Sequence, residues 1–239
     1  MIVLVDADSL IWSSCYRKKE HPEDEMYHTL ENAKLKFDEV FFSIINKIED
    51  VYELDKVITF AGAKGNFRKQ ISKTYKANRK ESDRPPLLNE LQNYVFETYN
   101  AIRGEGVETD DVVAMYWKQL TTEFGRDEVL IVSIDKDYKQ FPCLIYDYHY
   151  KKQCFYDISE AEARYNFWEQ MIAGDSCDNV NYCKGYGVAY CRKAFKDCLS
   201  DYSYIRAVFS LYKKLYRNKA REKFLECYQL LKLKTEWQT

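Results

Sequence analysis

The chain has 239 residues, 46% of them hydrophobic, and its 36 basic and 38 acidic side chains leave a net charge of −2. That length holds one large domain or one domain with a helical annex, and the apolar share excludes disorder as the default state. No apolar run reaches the roughly 18 residues of a spanning helix. The start Met1-Ile2-Val3-Leu4-Val5-Asp6 also lacks the features of a signal peptide, so the expectation is a cytoplasmic chain with no membrane contact.

Residues 2–5 are a short apolar run ending in Asp6, as a buried parallel strand would be, and 56–60 and 129–133 read the same way. Helical periodicity covers 26–51, 87–97 and 110–124, and a short strand is expected at 101–103. Strands alternating with helices imply an α/β fold, a mainly parallel sheet flanked by helices. Residues 144–148 and 154–156 would add an edge hairpin. From 159 onward the pattern is helical, at 159–165, 167–173, 188–195, 202–215 and 221–231, with Gly174, Gly185 and Gly187 as the only glycines. The expected division is a core at 1–157 and a helical region at 158–239, packed directly on it.

Eight cysteines in such a chain are expected to be reduced. Cys177, Cys183, Cys191 and Cys198 form no C-x-x-C pair, and His21, His28 and His149 lie far from them in sequence, which argues against zinc.

In open parallel sheets ligands sit at the carboxyl ends of the strands, and the acidic residues follow that rule. Asp6 and Asp8 end the first strand; Glu108, Asp110 and Asp111 follow the third; Asp135 and Asp137 follow 129–133. Asp175 and Asp178 form a further group. Hard divalent cations take oxygen ligands, and a pair of them takes several carboxylates around one centre. Each group also has a plainer reading. Asp110 and Asp111 would suit a helix N-terminus, Asp135 and Asp137 a turn, Asp175 and Asp178 a cap. Asp8 would suit a cap for a helix starting near Ser9 and is only a secondary ligand candidate. The joint pattern favours a metal centre.

The near-neutral total hides a basic stretch. Lys64, Arg68, Lys69, Lys73, Lys76, Arg79, Lys80 and Arg84 face only Glu81 and Asp83. With the ligand candidates set aside, the rest of the chain is net basic. Lys69, Lys73, Lys76 and Lys80 have the spacing of one helix face, and the interleaved Phe67 and Tyr75 suit phosphate contact with base stacking. Asp6-x-Asp8 after a strand also resembles haloacid-dehalogenase phosphatases, but Leu10 stands where those enzymes have Thr or Val.

The motifs then converge on one family. Phe67-Arg68-Lys69 followed by Tyr75-Lys76-Ala77-Asn78-Arg79 resembles the F-R … Y-K-x-N-R signature of the flap endonuclease and 5′→3′ exonuclease family. Gly106-Val107-Glu108-Thr109-Asp110-Asp111, Ser133-Ile134-Asp135-Lys136-Asp137 and Gly174-Asp175-Ser176-Cys177-Asp178-Asn179 resemble its acidic motifs in order. Lys184-Gly185-Tyr186-Gly187 stands where the family has its glycine hairpin. Chain length and the Tyr/Lys-rich style suggest a phage member.

The resemblance implies a PIN-like core and a structure-selective 5′ nuclease with two Mg2+ or Mn2+ ions. Asp6, Glu108 and Asp110 would hold one ion, and Asp135, Asp137, Asp175 and Asp178 the other, with Asp111 between. Lys76 and Arg79 would act on the scissile phosphate at the base of a helical arch at 67–88, flanked by Arg68, Lys69, Lys73, Tyr75 and Lys80 as nucleic-acid contacts. A helix–three-turn–helix at 167–198 would grip duplex DNA through Lys184, Gly185, Gly187, Arg192 and Lys193, with a K+ ion there. Implied partners are DNA with a 5′ end or flap, an RNA–DNA hybrid in primer removal, and replication proteins.

One position departs from the pattern. Ala63, in Gly62-Ala63-Lys64-Gly65, stands where relatives carry an Asp ligand. The expectation is an introduced Asp→Ala change that silences cleavage; a chain that manages without this ligand is the other reading. It also motivates a second functional class, a catalytically weak protein that binds DNA junctions.

Overall fold

A computed structural model describes residues 1–17, 25–80 and 84–237. His21, Glu81 and Asp83, with the crest of the expected arch, lie outside the described residues. In chain order the elements are β1 (Ile2–Asp6), α1 (Asp8–Ser14), α2 (Leu30–Glu49), β2 (Lys56–Lys64), α3 (Arg68–Ile71), α4 (Leu88–Tyr99), β3 (Ile102–Glu105) and α5 (Thr109–Phe124). There follow β4 (Val129–Val132), β5 (Leu144–Asp147), β6 (Cys154–Asp157), α6 (Glu160–Ala173), α7 (Val188–Ala194), α8 (Asp201–Tyr216) and α9 (Ala220–Leu231).

The strands form one sheet in the order β3-β2-β1-β4-β5-β6, parallel throughout except for the antiparallel β6. Alternation along β1 and β4 serves both faces. Val3, Val5, Leu130 and Val132 pack with Leu10, Phe37, Phe41, Ile48 and Leu91 of α1, α2 and α4. Leu4, Val129 and Ile131 pack on the other face with Val113 and Trp117 of α5. Strands buried on both sides read as unbroken apolar runs, which is why they were visible in the sequence. Each large side chain so buried contributes about 1.5–3 kcal/mol.

A third apolar cluster joins α6, α8 and α9 through Trp168, Ile172, Val208, Tyr212 and Leu231, and it includes Tyr75 from the basic stretch. All eight cysteines are free thiols. No helix of the described residues is long and apolar enough to cross a membrane.

Two elements differ from expectation. The segments at 159–165 and 167–173 are one helix, α6, in which the Asn166 side chain points away from its own backbone and donates to the Lys139 carbonyl (3.1 Å). The lysine-spaced stretch is not one helix. Only Arg68–Ile71 is helical; Ser72 is extended, and Lys76 takes a φ of 54° while its amide donates to the Asp178 carbonyl at 2.9 Å. Pairing with a distant loop overrides the local periodicity, so Lys69, Lys73, Lys76 and Lys80 do not share a helix face.

That loop is a tight turn from Asp175 to Val180, closed by amide–carbonyl bonds in both directions, 2.7 and 2.8 Å. It departs from α6 at Gly174, whose φ of 75° and ψ of −171° belong to glycine almost alone. A Cβ there would stand 2.3 Å from the Val180 carbonyl oxygen. Gly174→Ala is expected to destabilise the protein by roughly 2 kcal/mol, read as a lower urea midpoint; an unchanged midpoint would show that the turn relaxes freely.

Candidate active site

Parallel strands bring their carboxyl ends to one rim, and the acidic residues gather there. Asp6, the last residue of β1, is 7% exposed. It accepts hydrogen bonds from Tyr138 Oη (2.8 Å), Ser133 Oγ (3.4 Å) and the Asp8 amide (3.2 Å). Across the sheet, Glu108 is the N-cap of α5, and the Asp111 side chain accepts its amide to complete a capping box. Oxygens of Asp110, Asp135 and Asp137 lie within 4.8 Å of one another. This trio cuts across the expected split, which placed Asp110 with Asp6 and Glu108.

The basic motif is stitched to the 175–180 turn. Asn78 Nδ2 donates to the Ser176 carbonyl at 3.0 Å, and Asn179 Nδ2 to that of Thr74 at 2.9 Å. Between these bonds the Tyr75 hydroxyl lies 2.7 Å from both Glu108 and Asp178, so its single proton serves one carboxylate at a time. Lys76 Nζ donates to Glu108 and stands 3.5 Å from Asp178, which also accepts from Arg79 at 3.0 Å. Asp175 takes the Cys177 and Asp178 amides on one oxygen and Lys136 on the other at 2.8 Å. Gln170 bridges Asp137 (2.8 Å) and Asp175 (3.3 Å).

These surroundings separate the carboxyls electrostatically. Burial, then repulsion from Asp8, pushes Asp6 up to about 7. Burial and the Asp135 and Asp175 charges push Asp137 up to about 7 as well. Asp110 is driven upward by burial and by Glu108 and Asp111, and Asp135 is raised by the desolvation of its carboxyl within the rim and then by the charges of Asp178 and Asp175. Glu108 is held low: burial pulls it up, but Lys76 and Arg68 outweigh that. Asp175 is low because Lys136 and the turn amides outweigh its burial. Like charges in a poorly solvated site create this pattern, and a cation among them relieves it.

Three expected roles need correction. Arg68 is 1% exposed and has no face for a phosphate; it holds both oxygens of Asp111, reaches Glu108 at 3.2 Å, and donates to the carbonyls of Leu230 (2.9 Å) and Lys232 (3.0 Å). Asp111 is fully buried and committed to Arg68 and to the amides of Glu108 and Lys234, so it braces the site and does not lie between cations. Tyr75 is 4% exposed and packed among the C-terminal helices, so it cannot stack on a base.

Other expected positions are open to solvent: Lys69, Lys73, Arg79 and Lys80 in the basic stretch, and Lys184, Gly185, Arg192 and Lys193 around α7, which begins after Gly187. Ala63 is exposed at a bulge in β2, paired with Gly104. Leu10 is packed in the core at 1% exposure. Sequence reasoning missed Tyr138, Lys136 and Gln170. The first two sit inside the Asp135–Asp137 motif or beside it; nothing local marks Gln170.

Two outcomes follow from this balance. Arg68→Met leaves Asp111 charged and unpaired in the interior and is expected to cost about 3–5 kcal/mol, read by urea unfolding; a loss below about 1 kcal/mol would mean that the pair is dispensable. A carboxyl with a higher pKa in the folded chain binds more protons when folded. Its stabilising share is therefore whole below about pH 4 and lost as pH rises through about 7. Glu108 and Asp175 act in the opposite sense, but only below about pH 4. Without divalent ions the protein is expected to melt lower near pH 8 than near pH 5.5. Mg2+ at about 100 times its Kd should raise Tm by roughly 5–10 °C near pH 8 and much less near pH 5.5. A flat calorimetric profile would remove the repulsion from the account.

The donor set is oxygen throughout, as hard divalent cations require. The profile of a family described as 5′-3′ exonuclease, N-terminal resolvase-like domain, matches residues 1–166. A 5′-3′ exonuclease of Buchnera aphidicola subsp. Schizaphis graminum is 26% identical over 98% of this chain and 86% of its own length. The exonuclease of Escherichia phage T7 is 29% identical over 51% of this chain and 41% of its own. Among solved structures, the 5′-exonuclease of phage T5 with bound divalent zinc covers 97% of this chain and 99% of its own, with a TM-score of 0.61 at 15% identity. The catalytic core of Rad2 with a DNA substrate covers 96% and 71%, with a TM-score of 0.50 at 14% identity. The fold is thus shared with these nucleases, and by its sequence this chain belongs to the 5′-3′ exonuclease family.

Proposed function

We propose that the protein is a structure-selective 5′ nuclease that hydrolyses phosphodiester bonds with two Mg2+ or Mn2+ ions. The observation that carries this reading is the convergence of Asp6, Glu108, Asp110, Asp135, Asp137, Asp175 and Asp178 on one rim, beside exposed cations. Bound metal ions supply an activated water and charge neutralisation at the leaving oxygen. The chain's own part is positional and electrostatic. Lys76, held between Glu108 and Asp178, is placed to give its ammonium to a phosphate drawn to the rim. Arg79, more than half exposed, gives that phosphate a second contact.

A cleft of about 740 Å³ opens beside the rim, lined by Asp8, Trp12, Asn78, Arg79 and Lys80 among others. It has two cations for a strand's phosphates and, in the half-exposed Trp12, a flat face for a base. Lys184, Gly185, Gly187, Arg192 and Lys193 are proposed to hold duplex phosphates, with K+ at the glycine hairpin. On this reading the division at about residue 157 separates a catalytic core from a duplex-gripping region. The substrate is DNA with a 5′ end or flap, or an RNA–DNA hybrid at a primer, in the cytoplasm of a phage-infected host alongside replication proteins. Ala63 brings no oxygen to the rim.

The test is a labelled 5′-flap duplex with Mg2+ or Mn2+. Cleavage near the junction is expected, with Lys76→Ala slower by roughly 100-fold or more and Ala63→Asp faster than the parent chain. Binding without cleavage by the Ala63→Asp form would replace this reading with that of a junction-binding protein. An unchanged rate there would deny position 63 a ligand role.

A further inference from the structure

Two groups at the rim hold no cation in the reading above. Asp8 opens α1, two residues past Asp6, and its Oδ1 accepts the Gly62 amide at 2.7 Å. That bond ties the first turn of α1 to the bulge of β2, beside Ala63. It occupies one oxygen and leaves the other unassigned, with the carboxylate close enough to Asp6 for the two charges to repel. The second group is Tyr148, just past β5. Its hydroxyl is sealed from solvent, has no hydrogen-bond partner among the described residues, and is within electrostatic reach of Asp6, Asp8 and Asp135. Leaving a buried hydroxyl without a partner is unfavourable, and a polar ligand arriving beside it would supply one.

We propose that Asp8 is a cation-holding carboxylate of this site, supplying from the start of α1 the charge that Ala63 does not supply from β2, and that Tyr148 hydrogen-bonds to a polar group arriving with that cation. The inference rests on the two-cation reading above. Its physical content is a relocation. With Ala63 bringing no oxygen to the β2 side of the rim, the Gly62 amide fixes the Asp8 carboxylate there through backbone geometry, independently of the side chain at 63. The same amide explains why the position is held before any cation arrives: a carboxylate anchored by a backbone N–H loses little freedom on binding.

Asp8→Asn separates charge from structure, because an amide oxygen can still accept the Gly62 bond. With Mn2+ alone as the probe, followed by calorimetry and by the electron-spin signal of free Mn2+, Asp8→Asn is expected to weaken binding roughly 10- to 100-fold. Its metal-free melting temperature should stay level or rise, since a charge repelling Asp6 is gone. Tyr148→Phe should weaken Mn2+ binding by a smaller factor. Introducing Ala63→Asp into the Asp8→Asn chain should restore affinity; affinity that stays low would overturn the proposal, because a missing charge would not then be the cause. Mn2+ binding by Asp8→Asn equal to the parent's would also overturn it, while parental binding and flap cleavage leave the nuclease reading standing. A parent chain that neither binds Mn2+ nor cleaves would remove both.

Discussion

Carboxylates gathered at one poorly solvated rim repel each other, and the rest of the molecule is arranged around that repulsion. Burial first, and that repulsion added to it, pushes Asp6, Asp110, Asp135 and Asp137 towards protonation. Glu108 and Asp175 escape because each has an ammonium beside it, Lys76 in one case and Lys136 in the other. The rim thus holds two populations, one already balanced by lysines and one waiting for positive charge. For a site so divided, taking up a cation means releasing protons, which ties affinity to pH.

The lysine that balances Glu108 is not carried on a helix. Lys76 sits in a left-handed backbone conformation, pinned by its own amide to Asp178. Asn78 and Asn179 add reciprocal bonds across the same seam, so the basic motif and the 175–180 turn form one unit although about a hundred residues separate them in sequence. Tyr75 roots that unit in the C-terminal helical cluster. The expected stacking aromatic is therefore a structural rivet, and the position of Lys76 is set by packing in a different layer of the fold.

The sheet and its acidic rim were legible in the sequence, for a physical reason. Strands covered on both faces show as apolar runs, and a parallel sheet sends every strand end to the same side, so Asp6, Glu108 and Asp135 could be placed together from order alone. The fate of Arg68, Asp111 and Tyr75 was not legible. Spacing suggests which face a residue shares, but their partners are the carbonyls of Leu230 and Lys232 and carboxylates distant in sequence. Nor could periodicity reveal that Ser72 and Lys76 break the expected basic helix. The strength of a motif says that a residue matters; only the fold says whether it meets substrate or braces what does.

Arg68 shows how far that bracing extends. A buried ion pair seldom adds net stability, since desolvating both charges offsets their attraction, yet it fixes geometry because every alternative leaves a charge stranded. The guanidinium fork admits one arrangement: both oxygens of Asp111, an edge on Glu108, and two carbonyls at the end of α9. The Lys234 amide returns to the same Asp111. The last turn of α9 is thereby linked, through one buried arginine, to the N-cap carboxylate that pairs with Lys76. A C-terminal segment remote from the chemistry in sequence is part of what aims it.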